Sequence, residues 1–451
     1  MPRVLVVAYF FPPLGGAGVH RPVAWSRFLP EHGWDVTVLA SAPGGYFVDD
    51  ATMLDTVPEA TEVIRIAAPT AVALWRRHLA PPRPPRPAAL GADGTLRRAT
   101  HAGLIRRDNL LRAIARFAFL PDSYRAWVGP AVRAGRARIA RGDIDAVIST
   151  SPPESCHLVG EALATRDGAR VLPWIADFRD PWVALHYRTP PTPFHAQAHR
   201  RMERRVLTRA DRVLCASRTH LRAVEDALGR EDAARRLRFM PNGAEVDRPG
   251  PLAGPHGGDR VVFTGTLVET PAMLRFLEAL ARRLEAEPAR RGRIRLDIAG
   301  PYGEEYEARV RELGLTDVVR FIGPVSFAEG RALQQGADVL LLVRNEGKGY
   351  EAMVPGKLYA YLAARRPIVA MVGTSEASGL ARQCGAAVTA PNDGDAAVAA
   401  ALAVLDGAPN AARPNEAAIE ELLRARSRET LAGTLAGILD EVARAAPVAA
   451  S

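Results

Sequence analysis

Cysteine is scarce. The 451-residue chain has three, Cys156, Cys215 and Cys384, far apart and without metal-ligand spacing. That excludes a disulfide framework and a cysteine-based zinc site, and reads as buried reduced thiols. Long apolar runs are missing too: nothing reaches the roughly 18 apolar residues that a membrane-spanning helix needs. The N-terminal stretch Val4 to Val7, followed by Phe10-Phe11-Pro12-Pro13, is too short and wrongly flanked for a signal peptide, so a cytoplasmic protein is expected. No G-x-S-x-G, H-E-x-x-H, paired C-x-x-C or G-x-x-x-x-G-K-[ST] occurs, which removes the common hydrolase, zinc-protease, thiol-redox and P-loop chemistries. No bound metal and no resident cofactor are expected.

What is present describes a globular protein. Hydrophobic residues make up 48% and charged residues 24%, and the length suits two domains, each with its own core. Basic residues outnumber acidic ones for a net charge of +9, and arginine dominates them. The surplus favours acidic partners such as nucleotides or anionic lipid; a GC-rich genome would produce the same bias. Nucleic acid is not an expected partner.

The chain opens as a doubly wound sheet does. Residues 3 to 8 read as a buried strand, Gly15, Gly16 and Gly18 as a turn, Ala17 to Leu29 as a helix, and Val36 to Leu39 as a second strand. The turn lacks the G-x-G-x-x-G spacing, and no acidic residue ends the second strand, so a dinucleotide is not expected. Gly15 and Gly16 permit close backbone approach to a ligand, and His20 and Arg21 follow them. The Pro-rich stretch at 79 to 100 reads as a loop or lid. Leu104 to Phe119 and Val128 to Ile139 read as Arg-laced amphipathic helices, ordinary surface helices with room for peripheral contact to an anionic membrane.

Strand Asp145 to Ser149 leads into Thr150-Ser151-Pro152-Pro153, and strand Val171 to Ile175 into Ala176-Asp177-Phe178-Arg179-Asp180-Pro181-Trp182. Both turns lie at carboxyl ends of expected parallel strands, where open α/β sheets bind ligands. Asp177 and His20 are the candidate catalytic groups. Arg179, Asp180, Trp182 and Ser151 stand at the same turns and are candidates for holding a ligand. A structural ion-pair corner is the competing reading. After a Gly- and Pro-rich linker at 249 to 258, strand Arg260 to Phe263 ends in Gly265-Thr266, strand Arg295 to Ala299 ends in Gly300, and strand Val339 to Val343 runs into a loop holding Asn345, Lys348 and Glu351. Next comes Val354 to Ala370, a helix with Lys357 in its first turns and Tyr361 on its apolar face, then a buried strand. A strand, a polar loop and a helix N-terminus form an anion-binding corner.

The strings STSPP and WIADFRDPW, with VPGKLYAYLA, resemble the GT-B glycosyltransferases of the family 4-like group. The resemblance covers roughly residues 3 to 440. It implies an α/β protein of two Rossmann-like parallel-sheet domains facing across a cleft: residues 1–248 for the acceptor, a linker at 249–258, 259–412 for a nucleotide sugar, and helices at 413–451 crossing back to the first domain. It implies a retaining, metal-independent glycosyltransferase with a nucleotide-diphosphate sugar as donor, uridine diphosphate being the commonest carrier. The acceptor would be a saccharide, lipid-linked or small-molecule hydroxyl, held by Arg179, Asp180, Ser151 and Trp182, the last stacking on a sugar or aglycone. Donor-binding candidates are Gly15, Gly16, Gly265, Thr266, Gly300, Lys348, Glu351, Lys357 and Tyr361. The family's paired glutamates fall at Ala352 and Ala360 here, and Thr266 takes the place of an arginine, which leaves Arg344, Lys348 and Lys357 as cations for a diphosphate. A non-catalytic partner protein and a sugar-nucleotide epimerase or hydrolase are the alternatives on the same scaffold.

Overall fold

The computed structural model describes residues 1–43, 50–68, 104–105, 117, 119–166, 169–184, 190–244, 259–345, 347 and 349–445. The proline-rich stretch at 79–100, the linker at 249–258 and Lys348 lie outside them. The chain divides into two units. The first holds the N-terminal residues through Gly243 and takes back residues 425–451; the second holds Ala244–Arg424 with the strand Leu104–Ile105.

The first unit is built on seven parallel strands: β1 (Arg3–Val7), β2 (Asp35–Ser41), β3 (Glu62–Ile66), β4 (Ala146–Ser151), β5 (Trp174–Phe178), β6 (Arg212–Cys215) and β7 (Leu237–Phe239). They lie in the order β7-β6-β5-β4-β1-β2-β3. Val4 to Val7 and Val147 to Ser149 are fully enclosed, because a parallel sheet covered by crossover helices buries both faces and reads as a continuous apolar run. The helices that matter below are α1 (His20–Phe28), α2 (Val128–Ile139), α3 (Ser155–Ala164) and α4 (Pro193–Arg209). The last helix of the chain, Arg428–Arg444, packs Leu435, Ile438, Leu439 and Val442 onto the same core as Trp25, Leu29 and Trp34, and Asp440 accepts the Trp34 indole N–H at 2.9 Å.

The second unit has six parallel strands: β8 (Asp259–Thr264), β9 (Ile294–Ala299), β10 (Val319–Gly323), β11 (Val339–Val343), β12 (Ile368–Met371) and β13 (Ala387–Thr389), ordered β10-β9-β8-β11-β12-β13. Its helices include α5 (Pro271–Ala286), α6 (Gly356–Ala363), α7 (Gly394–Leu405) and α8 (Glu416–Ala425). One face of the sheet packs on Met273, Phe276, Leu280 and Leu402, the other on Leu358, Tyr359, Leu362 and Leu422. Both units are α/β with parallel sheets, as expected.

Several local expectations need correcting. Helix α1 begins at His20, three residues late, because Gly16 adopts a positive φ and Gly18 lies so close to Phe10 that a Cβ there would stand 2.8 Å from its ring. Leu104–Ile105 is not helical; it pairs in parallel with Tyr302–Gly303. Strand β5 starts at Trp174 rather than Val171: Val171 is exposed, and Pro173 has no N–H for a ladder. The shift carries the strand through Asp177, which therefore sits in the sheet and not in the turn beyond it. Pro355 is the N-cap of α6 rather than part of its first turn. The sequence also holds two D-x-D strings, 143–145 and 393–395, whose carboxylates are taken up within the fold. Asp143 pairs with Arg3 and Arg138, and Asp145 accepts the Arg3 amide. Asp393 caps α7, and Asp395 pairs with Arg282.

Candidate functional site

The carboxyl ends of β8, β9 and β10 form an edge of three glycines. Gly265, Gly300 and Gly323 follow the three strands directly or end them, and all have positive φ. They are linked in series: Gly265 donates its N–H to Ala299 O at 2.8 Å, and Gly300 donates to Gly323 O at 2.7 Å. A Cβ on Gly300 would lie 2.3 Å from Gly265 O, so only glycine allows the turns to approach so closely. The Gly265 amide is thereby committed, which corrects the expectation that it meets an anion. Exposed Thr266 is the remaining amide of that turn.

Lys357 lies across this edge. It occupies the first turn of α6, whose N-terminus has no side-chain cap. Its Nζ sits 4.3 Å from the centre of the Phe263 ring, and a Cβ on Gly265 would be 2.8 Å from that nitrogen. Among the described residues no carboxylate pairs with it. Desolvation by the surrounding protein, helped by the Arg344 guanidinium, lowers its pKa from 10.5 to about 7. The positive end of the helix dipole disfavours the ammonium as well. Lysine is otherwise almost absent: of 59 basic residues only Lys348 and Lys357 are lysines. A compact ammonium with no carboxylate partner among the described residues, at an uncapped helix N-terminus beside a glycine edge, is arranged for a multiply charged anion.

The loop after β11 closes one side of the same edge. Arg344 donates to Met353 O at 2.8 Å and stacks over Tyr350. Asn345 Nδ2 donates to Glu269 O at 2.7 Å, steadying a residue with φ of 46°. The Asn345 Oδ1 is enclosed without a hydrogen-bond partner. That acceptor was not among the expected site residues; its neighbourhood in a polar loop after a buried strand was the available signal. Glu351 is exposed on the following turn. Tyr361 does not reach this space. It is fully buried, and its hydroxyl accepts the Thr264 N–H at 2.8 Å, so its work is to hold the end of β8.

In the first unit the strings STSPP and WIADFRDPW do meet. Arg179 staples them, donating to Ser151 O at 2.8 Å, Pro152 O at 2.6 Å and Gly18 O at 2.9 Å. Asp177 is wholly enclosed: one oxygen pairs with Arg21 Nη1 at 2.5 Å and the other accepts the Thr150 hydroxyl at 2.7 Å. Arg21 also donates to Met240 O and Asn242 Oδ1, tying α1 to the turn after β7. Asp177 is therefore the counter-ion of a buried arginine, and as placed it presents no oxygen to an acceptor hydroxyl. Trp182 is 1% exposed with its indole N–H on His199 Nδ1 at 3.0 Å, which leaves no open ring face for stacking. Ser151 is buried and its hydroxyl has no partner. Asp180 is half-buried beside them. Burial, with Arg428 and Arg179 nearby, lowers the His20 pKa to about 3, so its imidazole stays neutral and is a poor proton acceptor. Gly15 is buried and Gly16 exposed in the loop before α1. Among the described residues no group of three or more His, Cys, Asp or Glu is placed to hold a metal ion.

Known proteins share this architecture over the whole chain. Sucrose-phosphate synthase from Thermosynechococcus elongatus superposes with a TM-score of 0.65 at 15% identity, covering 99% of this chain and 100% of that one. Anabaena HepE, crystallised with UDP, gives 0.62 at 14% identity, covering 98% and 100%. The fold is that of the GT-B glycosyltransferases. The sequence matches cover about a third of the chain. Residues 258–406 match the family model described as Glycosyl transferases group 1. A D-inositol 3-phosphate glycosyltransferase of Geodermatophilus obscurus is 32% identical over 168 residues, 34% of this chain and 37% of that protein. The chain thus matches little more than a third of that relative's length, while the GT-B edge bearing Lys357 lies wholly within the matched family segment.

Proposed function

We propose that the chain is a glycosyltransferase whose second unit holds a nucleoside diphosphate sugar, with the diphosphate at Lys357 and the Thr266 turn. The observation that carries this is the desolvated Lys357 ammonium against Gly265, without a carboxylate partner among the described residues. The matched family segment and the similarity to a protein crystallised with UDP support it. As the bond from the sugar to the diphosphate breaks, negative charge accumulates on the departing phosphate oxygen. Lys357, the N-terminus of α6 and the turn amide oppose that charge, in the role that a metal takes elsewhere. The charge also restores the lysine proton affinity that desolvation removes, so the site is strongest when the leaving group is most negative. Transfer goes to a saccharide, lipid-linked or small-molecule hydroxyl with retention, the departing oxygen itself accepting the acceptor proton. Asp177 has no part in that step and positions Arg21. UDP is the first carrier to test.

A thermal-shift panel of UDP, GDP, ADP and TDP on the wild type and on Lys357→Ala tests the reading, since a ligand that binds only the folded state raises the midpoint by mass action. One nucleotide raising the midpoint, with the rise abolished in Lys357→Ala, is expected. No rise with any of the four at millimolar concentration sinks the proposal. The enclosure of Asp177, with Ala352 and Ala360 in the positions of the paired glutamates, favours a second reading, a protein that binds a donor without transferring it. A nucleotide that binds while no sugar is released or transferred would select it.

A further inference from the structure

The first unit carries an arginine-lined cavity whose described lining shares no residue with either arrangement above. It has a volume of about 400 Å³ and opens among α2, α3 and α4; among the described residues Arg125, Arg136, Arg205 and Arg209 line it around one acid, Glu161, with Leu158 among the apolar groups. Glu161 is 6% exposed, and its two oxygens are divided between two arginines: Arg205 Nη2 lies 2.8 Å from one and Arg209 Nη1 2.7 Å from the other. Arg136 is fixed by a bond to Ala162 O at 3.3 Å. A guanidinium has five N–H donors, so these bonds orient the forks and leave most donors unspent. Both Arg205 and Arg209 remain about half exposed.

Among the described residues that line it, four guanidinium groups stand against one carboxylate, and like charges held together disfavour the empty state. A ligand carrying two or more negative oxygens offsets that repulsion, and planar guanidinium forks match phosphate oxygens in pairs. We propose that this cavity is a second anion site, which takes a phosphate-bearing group and is independent of the donor edge. Glu161 is its positioning residue, holding two arginines toward one space. The same phosphate chemistry is offered by a lipid headgroup and by a soluble phosphorylated molecule.

The probe is inorganic pyrophosphate, titrated calorimetrically at low salt into the wild type, Lys357→Ala, and Lys357→Ala carrying Arg125→Gln and Arg209→Gln. Glutamine keeps a donor for Glu161 while removing the charge, and Arg136→Gln serves as an independent second variant. The comparison of wild type with Lys357→Ala reads the donor edge alone. In the Lys357→Ala protein one pyrophosphate site is expected to persist, and each arginine variant is expected to weaken it at least about tenfold, the scale of losing charge-assisted bonds to phosphate. Sedimentation with phosphatidylglycerol-containing vesicles, against pure phosphatidylcholine, forms the other arm. Vesicle binding that the arginine variants lose, without pyrophosphate binding, assigns the site to a lipid headgroup; the reverse assigns it to a soluble ligand. Absence of both, or binding unchanged in the arginine variants, overturns the proposal.

Discussion

Replacing Lys357 by methionine should make the empty second unit more stable while abolishing its hold on a diphosphate. Methionine fills similar space beside Phe263 without a charge to desolvate. The lysine pKa falls from 10.5 to about 7; at 1.36 kcal/mol per pH unit, keeping the ammonium folded at pH 6 costs at most about 5 kcal/mol. Lys357 retains some contact with solvent, which brings the working figure to about 1–3 kcal/mol. The sign follows from proton binding. Below pH 7 the folded and unfolded chains both carry the charge, and the penalty is complete. Between pH 7 and 10.5 the unfolded chain keeps a proton that the folded chain has released, so wild-type stability climbs with pH and the gap to the variant closes. Thermal unfolding of both proteins at pH 6 and pH 9 reads the effect. A unit of this size gains about 2–4 °C per kcal/mol, so Lys357→Met should melt about 2–12 °C higher at pH 6, with about half of that gain left at pH 9. A variant that melts lower at pH 6, or a difference indifferent to pH, would refute the reasoning.

Three further outcomes are expected. Tyr361→Phe strands the buried Thr264 N–H and should destabilise the second unit by about 1–3 kcal/mol, measured by urea denaturation, while nucleotide affinity of the folded protein stays unchanged. Gly300→Ala places a Cβ 2.3 Å from Gly265 O in a left-handed backbone, so the unit should lose about 2 kcal/mol or more and give no nucleotide-dependent thermal shift. Glu203, raised from 4.5 to about 7 by burial and by the nearby Glu154, favours the folded state when protonated, and that stability is lost as pH rises from 4.5 through 7. Glu203→Gln should therefore stabilise the first unit by about 1–3 kcal/mol at pH 8 and leave it unchanged at pH 4, which calorimetric melting at the two pH values checks.

The fold was legible because parallel strands buried on both faces leave unbroken apolar runs, such as Val4 to Val7 and Val339 to Val343. Helices between them carry an apolar face at three- and four-residue spacing, as Leu358, Tyr361 and Leu362 do. The GT-B expectation itself came from the resemblance that the motifs carry, not from the runs. Side-chain direction was not legible in the same way. Asp177 looked like a turn residue because Val171 suggested an earlier strand, yet Pro173 delays the strand and draws the carboxylate into the sheet. Its counter-ion, Arg21, lies 156 positions away, and no local pattern announces such a pairing. Trp182 and Tyr361 show the same limit: an aromatic beside a polar motif can face either the ligand or the core, and a hydrogen-bond partner on another element decides. Lys357 could be placed on its helix from spacing, but its lack of a carboxylate depends on everything packed around it.

The most direct test of the donor site is a crystal structure of the protein grown with UDP, or with whichever nucleotide the thermal panel selects. The account predicts diphosphate density at the carboxyl edge of β8 and β9, with a phosphate oxygen within hydrogen-bonding distance of Lys357 Nζ and the Thr266 amide. Nucleotide bound elsewhere, with Lys357 still against Phe263 and no phosphate near it, would contradict the central claim.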